Sequence, residues 1–199
     1  ILNAAAKLGY VVNVNAMQLK QKDQKTVGII VSDLTNQYFS AFVQNLRTKL
    51  KELSYDLIVS ISNGSSIEEE KQIKYLIGSK VSTILFIPST TNNHKVLSIA
   101  KKYDVKMIQL FIRAYEDYSS IVNDDANGVY QAATLLANEK YKRICLLDID
   151  IEKNIYPRRE DGIEKAKSEN PDVQFNTLKI IPTNGFNNED IARIEEFNP

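Results

Sequence analysis

From Thr26 onward, short apolar runs alternate with stretches whose apolar residues recur at helical spacing, and this alternation constrains the fold more than any other feature. VGIIV (Val27 to Val31), LIVSI (Leu57 to Ile61), VSTILFIP (Val81 to Pro88) and KMIQLFI (Lys106 to Ile112) read as strands. SSIVND (Ser119 to Asp124), RICLLDI (Arg143 to Ile149) and LKIIP (Leu178 to Pro182) continue the series. A run such as VGIIV, apolar without interruption, predicts a strand covered on both faces. Between the first two, Phe39, Phe42, Val43, Leu46, Leu50 and Leu53 form one apolar stripe over about four helical turns. Ser66 and Glu69 make a capping box for a helix carrying Ile73, Leu76 and Ile77, with Gly78 as its stop. Further helices are expected around Val96 to Lys102, through Val129, Ala132, Ala133, Leu135 and Leu136, from about Arg158 to Lys167, and near Asn188 to Phe197. Repeated β-α units call for an α/β fold, a parallel sheet with helices on both faces. The first sheet is nearly complete by residue 118. The second, from about Ser119, has only two obvious strands after its crossing segment, so the expectation is two similar lobes, the second truncated.

Composition narrows the functions. At 199 residues and 43% hydrophobic content the chain has material for one large or two small domains. Its 25 basic and 25 acidic residues cancel, so no net field draws the body of the chain to nucleic acid or an anionic membrane. A single cysteine, Cys145, forms no intrachain disulfide and reads as a strand residue, in keeping with a cytoplasmic location. No apolar stretch approaches the ~20 residues of a membrane span, and ILNAAAKLGY lacks the charged-then-apolar order of a signal peptide. The glycines, at 9, 28, 64, 78, 128, 162 and 185, permit neither a GxGxxG turn nor a GxxxxGK phosphate loop. The one histidine, His94, lies in the polar loop TTNNHKV, which gives a metal site or a Ser-His triad little support. The expectation is a protein that is not an enzyme, with no cofactor and no metal.

Ahead of the first strand, Leu8 to Phe39 read LGYVVNVNAMQLKQKDQKTVGIIVSDLTNQYF: the end of a helix, a polar tether, then a buried strand opening into a polar-aromatic loop. A tether in that place suggests a domain reporting to something attached upstream. In open α/β sheets, ligands sit beyond the carboxyl ends of the strands. There Asp33, Thr35 and Asn36 offer hydrogen bonds, and Tyr38 and Phe39 offer flat apolar surfaces, which suits a small polyhydroxylated or heterocyclic ligand. Spacing alone equally allows Asn36 to cap the helix and Phe39 to begin its buried stripe. Arg159, near a helix start, is either a fork of donors aimed into a cleft or a surface arginine beside Arg158 and Glu160. Asp148 and Asp150 flank a strand end as a magnesium or phosphoacceptor pocket would require, but nothing orders them as an acid-base pair, and they read as solvated loop acids.

Four segments share a pattern. LGYVVNVNAMQL resembles the hinge LGYxPNxxAxxL of lactose-repressor-type (LacI/GalR) transcription regulators. TVGIIVSDLTNQYF resembles their TIGLIVPDxxNPFF, IVNDDANGVYQAATLL their VxxDNxxGxxxAxxxL, and RREDGIEKA their RxxGFxxAL. The four stand in family order along essentially the whole chain. The resemblance implies a periplasmic-binding-protein-like fold of two Rossmann-like lobes holding an effector in their cleft, joined to an N-terminal helix-turn-helix. It implies the end of a DNA-binding headpiece at 1–10, hinge and linker at 11–25, an N-terminal lobe at 26–118 and a partial C-terminal lobe at 119–199. Asn36, Tyr38 and Phe39 match the effector-contacting segment, Arg159 matches the arginine of the second lobe, and Ser89 falls in another loop that lines the cleft. Asn13, Ala16 and Leu19 match the hinge helix that forms on operator DNA, with Leu19 as the minor-groove wedge.

The chain also departs from the family. Val12 replaces the hinge proline, Met17 and Gln18 replace Arg and Ser, and Gln37 replaces the loop proline. The fourth strand ends LFI (Leu110 to Ile112) where many sugar-binding relatives have LDR. Phe111 and Ile112 remove a charged pair that holds sugar hydroxyls, which favours a less polar or phosphorylated ligand. The expected partners are a small-molecule effector (a sugar, a sugar phosphate or similar), operator DNA in the full-length protein and a second copy in a homodimer, with no membrane. Two competing readings are a solute-binding protein of a transport system with the same fold, and an α/β enzyme using Asp148 and Asp150 with a metal.

Overall fold

The computed structural model describes residues 25–149, 159–180 and 187–199. The headpiece end and the hinge expected from the sequence lie outside them, as far as residue 24. Strands and helices alternate as β1 (Thr26–Val31), α1 (Gln37–Glu52), β2 (Asp56–Ile61), α2 (Ser66–Gly78), β3 (Thr83–Phe86), α3 (His94–Lys102), β4 (Lys106–Leu110), β5 (Ser119–Ile121), α4 (Asp125–Asn138), β6 (Arg143–Ile149), α5 (Arg159–Glu169), β7 (Gln174–Ile180) and α6 (Asn188–Phe197). One sheet has five strands in the order β2-β1-β3-β4-β5, and another pairs β6 with β7. This is the parallel α/β architecture that the alternating pattern calls for. By contacts the chain divides into two units, one running to Leu85 and including His94–Met107, the other made of Phe86–Asn93 and everything from Ile108.

In the first unit, β1 is buried at every position, as an uninterrupted apolar run predicts. It pairs in parallel with β2 from Thr26↔Asp56 to Val31↔Ile61. Gly28 lets α2 settle onto the strand, since a Cβ there would come 2.7 Å from Leu76 Cδ1. Ile73 and Leu76 of α2 are fully buried. The cap of this helix sits one residue earlier than expected. Ser65, not Ser66, is the N-cap, its side chain accepting from the Glu68 N–H at 3.3 Å. The S-x-x-E spacing occurs twice here, the helix uses the earlier copy, and Glu69 is buried. Gly78 is the last helical residue, and the left-handed turn falls on Lys80 (φ 56°) instead. The stripe on α1 buries Val43 alone, while Leu53, expected to close it, caps the helix and is 67% exposed.

Two strands stop short for local reasons. β4 ends at Leu110, not Ile112, because Phe111 turns left-handed (φ 65°) and the Ile112 N–H returns to the Leu110 carbonyl at 2.7 Å. That is a γ-turn with a positive-φ centre, a strained form for a bulky residue. β5 pairs with β4 from Ile108↔Ser119 to Leu110↔Ile121 and ends before Asp124, which caps α4 by accepting from the Asn127 N–H at 3.3 Å. β7 begins earlier than its apolar end suggests. It pairs with β6 from Arg143↔Gln174 to Ile149↔Ile180, and the polar Gln174, Asn176 and Thr177 hide its first half.

The core of the second unit is small side chains at a helix crossing. Ala133 of α4 and Ile163 and Ala166 of α5 are buried together, with Val129, Tyr130, Leu146 and Phe175 around them. Gly162 makes the crossing possible: a Cβ there would lie 2.2 Å from the Ala126 carbonyl oxygen and 2.9 Å from the Tyr130 nitrogen. At the far end Arg143 donates to the Phe197 carbonyl and lies 4.8 Å from the centre of the Phe197 ring, which fixes the end of α6 to β6.

The two glycines differ in what they touch. Gly162→Ala is expected to lower unfolding free energy by about 3 kcal/mol, despite alanine's ~1 kcal/mol better helix propensity, because backbone cannot yield. Gly28→Ala meets only the tip of a leucine and should cost about 1–2 kcal/mol. Chemical denaturation of both variants checks the order, and an equal loss would contradict the close crossing.

Candidate functional site

The loops at the carboxyl ends of the strands divide between the units. On the first, the β1–α1 loop folds on its own polar groups. Asp33 Oδ1 accepts from the Asn36 N–H at 2.8 Å and from the Thr35 hydroxyl at 2.7 Å. These bonds, the Thr35 hydroxyl foremost, hold the Asp33 carboxyl below the usual aspartate range, so it stays ionised. Asn36 Oδ1 in turn accepts from the Tyr38 N–H at 2.9 Å and caps α1. Tyr38 is 54% exposed and Phe39 half-buried, their rings edge to face with centroids 5.7 Å apart. Asn36 is thus a cap, and Tyr38 presents an exposed ring at the strand's carboxyl end.

On the second unit, Gln109 gathers two loops. It is fully buried at the end of β4, and its amide uses both of its ends. Nε2 donates to the Tyr115 carbonyl at 2.8 Å and the Tyr118 carbonyl at 3.1 Å, while Oε1 accepts from the Ala114 and Tyr115 N–H groups, each at 2.8 Å. Tyr115, also buried, donates its hydroxyl to the Thr90 carbonyl at 2.6 Å and accepts from the Asn93 N–H at 3.0 Å. The loop that carries Ser89, itself half-buried, is thereby tied to the loop after β4. Ile112 is buried at 3% exposure, so it belongs to the core of this loop.

Arg159 opens α5 and is neither a bare surface residue nor unattached. Its Nε and Nη2 donate to Asp125 Oδ2 at 3.2 and 3.1 Å, and its Nη1 donates to Asp148 Oδ1 at 3.1 Å. Lys179 Nζ lies 3.6 Å from Asp148 Oδ2 and 2.9 Å from Glu160 Oε1. Burial pulls the Arg159 pKa down, but the bonds from Asp148 and Asp125 outweigh it, and the group stays above its ordinary range. The reading of Asp148 as a solvated loop acid is corrected: it sits within β6 with its side chain 13% exposed, paired to two cations. Its expected companion Asp150 lies outside the described residues, as do Asn13, Ala16 and Leu19.

Among the described residues, no cluster of His, Cys, Asp and Glu could hold a metal ion. Cys145 lies half-buried on β6, where desolvation raises its pKa. His94 is exposed at the start of α3. No helix among the described residues is long and apolar enough to cross a membrane. Sequence reasoning missed Gln109, Tyr115 and Asp125. Gln109 carried a usable signal, a lone amide inside the apolar run KMIQLFI, since a buried polar group must find partners. Asp125 carried none, because its partner is 34 positions away.

Residues 24–178 match the family described as periplasmic binding proteins and sugar binding domain of LacI family. The chain is 26% identical over 171 residues to the HTH-type transcriptional regulator RegA of Clostridium saccharobutylicum, an alignment covering 85% of this chain and 51% of that protein. The chain thus spans about half the length of the curated relatives it matches first. Among solved structures, the Cra transcriptional dual regulator of Pseudomonas putida, in complex with fructose 1-phosphate, superposes with a TM-score of 0.73 at 16% identity, covering 88% of this chain and 66% of that one. A periplasmic solute-binding protein of an ABC transporter from Actinobacillus succinogenes, with bound D-allose, gives 0.71 at 22% identity, covering 77% and 59%. These two likenesses speak to the fold, which a regulator and a transport protein share.

The Gln109 knot predicts unequal costs. Gln109→Leu removes the acceptor of two N–H groups and should cost about 3 kcal/mol. Tyr115→Phe removes one hydroxyl that a carbonyl and an N–H share, and should cost about 1–2 kcal/mol. Urea unfolding of both variants tests this, and a Gln109→Leu protein as stable as the parent would refute the knot.

Proposed function

The chain belongs to the family of periplasmic binding proteins and LacI-type sugar-binding domains, and on that footing we propose that it is the effector-binding and dimerisation core of a DNA-binding transcriptional regulator, a repressor acting in the cytoplasm. The observation that carries this reading is the order of motifs: a hinge-like LGYVVNVNAMQL stands directly ahead of a fold whose curated relatives are transcription regulators. A transport-type solute-binding protein shares the fold, but the hinge pattern has no place in it.

Asn36, Tyr38 and Phe39 on the first unit, and Ser89 and Arg159 on the second, are the proposed effector contacts. Asn13, Ala16 and Leu19, within a hinge and linker at 11–25, are the proposed operator contacts of the full-length protein, with Leu19 as the groove wedge. The effector, a sugar or a related small molecule, works by shifting the population of conformations that hold the hinge competent for DNA. Effector and operator affinities are then coupled reciprocally, by about 1–3 kcal/mol. A homodimer would present two hinges to a two-fold operator.

A thermal-shift screen of sugars, sugar phosphates and nucleobases against the full-length protein identifies the effector class. With a hit in hand, Arg159→Ala should weaken effector binding by about 2 kcal/mol, since it removes charge-assisted bonds. Unchanged affinity by calorimetry would take Arg159 out of the site. Leu19→Ala should weaken operator binding and leave effector binding alone, and the opposite pattern would sink the hinge assignment.

A further inference from the structure

We propose that an apolar groove at the amino ends of β1, β3 and β4 is a docking site for residues 11–19 of the same chain, VVNVNAMQL, and withholds them from DNA until an operator competes for them. The inference rests on the proposed reading of that segment as the hinge, and adds the place where the hinge is kept. The groove is a cavity of about 380 Å³ whose apolar wall is Val27, Leu50, Leu53, Tyr55 and Leu85. The end of α1 supplies much of that wall. Leu53 caps the helix, Ser54 turns left-handed (φ 61°), and the Tyr55 N–H returns to the Leu50 carbonyl at 2.8 Å. Among the described residues, Leu53 remains 67% exposed and Tyr55 36%. Apolar surface gathered around a concavity marks a place where something docks.

The occupant follows from where the preceding chain enters. Residues 1–24 lie outside the described part, and Val27 of the groove wall comes two positions after Lys25. The entry is pinned. The Lys25 carbonyl accepts from the Asp56 N–H at 2.9 Å, and the Thr26 carbonyl accepts from the Ser82 N–H at 2.8 Å and the Ser82 hydroxyl at 3.1 Å. Ser82 itself lines the groove, as does Lys106, whose N–H donates to the Ser82 carbonyl at 3.1 Å. The chain therefore arrives at the groove's own rim. Ahead of that point it is polar over KQKDQK (20–25) and rich in apolar side chains before it, with Val11, Val12, Val14, Met17 and Leu19. Six linker residues reach at most about 20 Å when extended, enough to turn back across the groove. So short a tether gives a high effective concentration, and a weak apolar contact then suffices to hold the segment. On DNA, Leu19 is the proposed groove wedge. Off DNA, the core offers the same side chains another burial. One segment cannot occupy both places, so operator affinity falls with the fraction of molecules whose hinge is docked.

Hydrogen exchange over residues 11–19, read by mass spectrometry on the full-length protein without DNA, tests the docking. A segment docked about four-fifths of the time exchanges about fivefold more slowly than a free one, and its operator binding is weakened about fivefold. Leu53→Lys puts a charge into the groove at an exposed position, and Thr83→Phe fills the groove from β3. Each, confirmed as folded by circular dichroism, should speed exchange at 11–19 about fivefold and tighten operator binding by a like factor. Met17→Ser with Leu19→Ser strips the segment instead of the groove. It should speed exchange equally, and adding Leu53→Lys to it should change nothing further. Exchange as fast in the parent as in every variant overturns the docking, and the hinge reading stands if Leu19→Ala still weakens operator binding. Faster exchange in the variants, with operator affinity indifferent to Leu19→Ala, upholds the docking and sinks the hinge reading. A dimer that Leu53→Lys splits into monomers in sedimentation puts a second copy in the groove and overturns its assignment to residues 11–19.

Discussion

The second unit depends on how closely the backbones of α4 and α5 approach at Gly162. No side chain fits there, since the first atom of one would overlap the Ala126 carbonyl. Close approach does two things in sequence. It buries Ala133, Ile163 and Ala166 against one another, giving a core built from small residues. It also brings the first turns of the two helices together, so that Arg159, one turn before Gly162, meets Asp125, the residue before Ala126. The ion cluster is therefore a product of packing. The charges did not have to find each other through solvent, where such a pair would be worth little.

A different device organises the carboxyl end of β4. Gln109 cannot be exchanged for an apolar residue of similar size, because its amide substitutes for the backbone partners that an irregular loop lacks. Next to it, Phe111 is held left-handed, in a conformation that costs a bulky side chain of order 1–3 kcal/mol. Strain of that kind persists only where its surroundings over-determine it, and the buried Leu110 and Ile112 on either side supply that determination.

Much of the fold was legible in the chain because the apolar runs are long and the helical stripes regular. β1, β6 and α6 stand where their patterns put them. The misreadings were local. At Ser65 and Ser66 the same spacing fits twice, and only the geometry chooses. β7 hid behind Asn176 and Thr177 because its sheet neighbour, rather than its composition, makes those residues a strand. The candidate site was legible as separate residues and not as relations. Arg159 could be singled out from its place in RREDGIEKA, but its ties to Asp125 and Asp148 connect positions that only the folded chain brings together. The lone glutamine in KMIQLFI was the one missed signal that a stricter account of buried polar groups would have caught.

In the first unit, Asn36 settles a matter of polarity. The helix chooses the orientation of its amide, because Oδ1 is turned toward the Tyr38 N–H. What the side chain can extend outward is its NH₂. Asp33, the neighbouring acceptor, is turned toward Thr35 and Asn36. At this loop Asn36 therefore turns a donor outward beside the ionised carboxylate of Asp33.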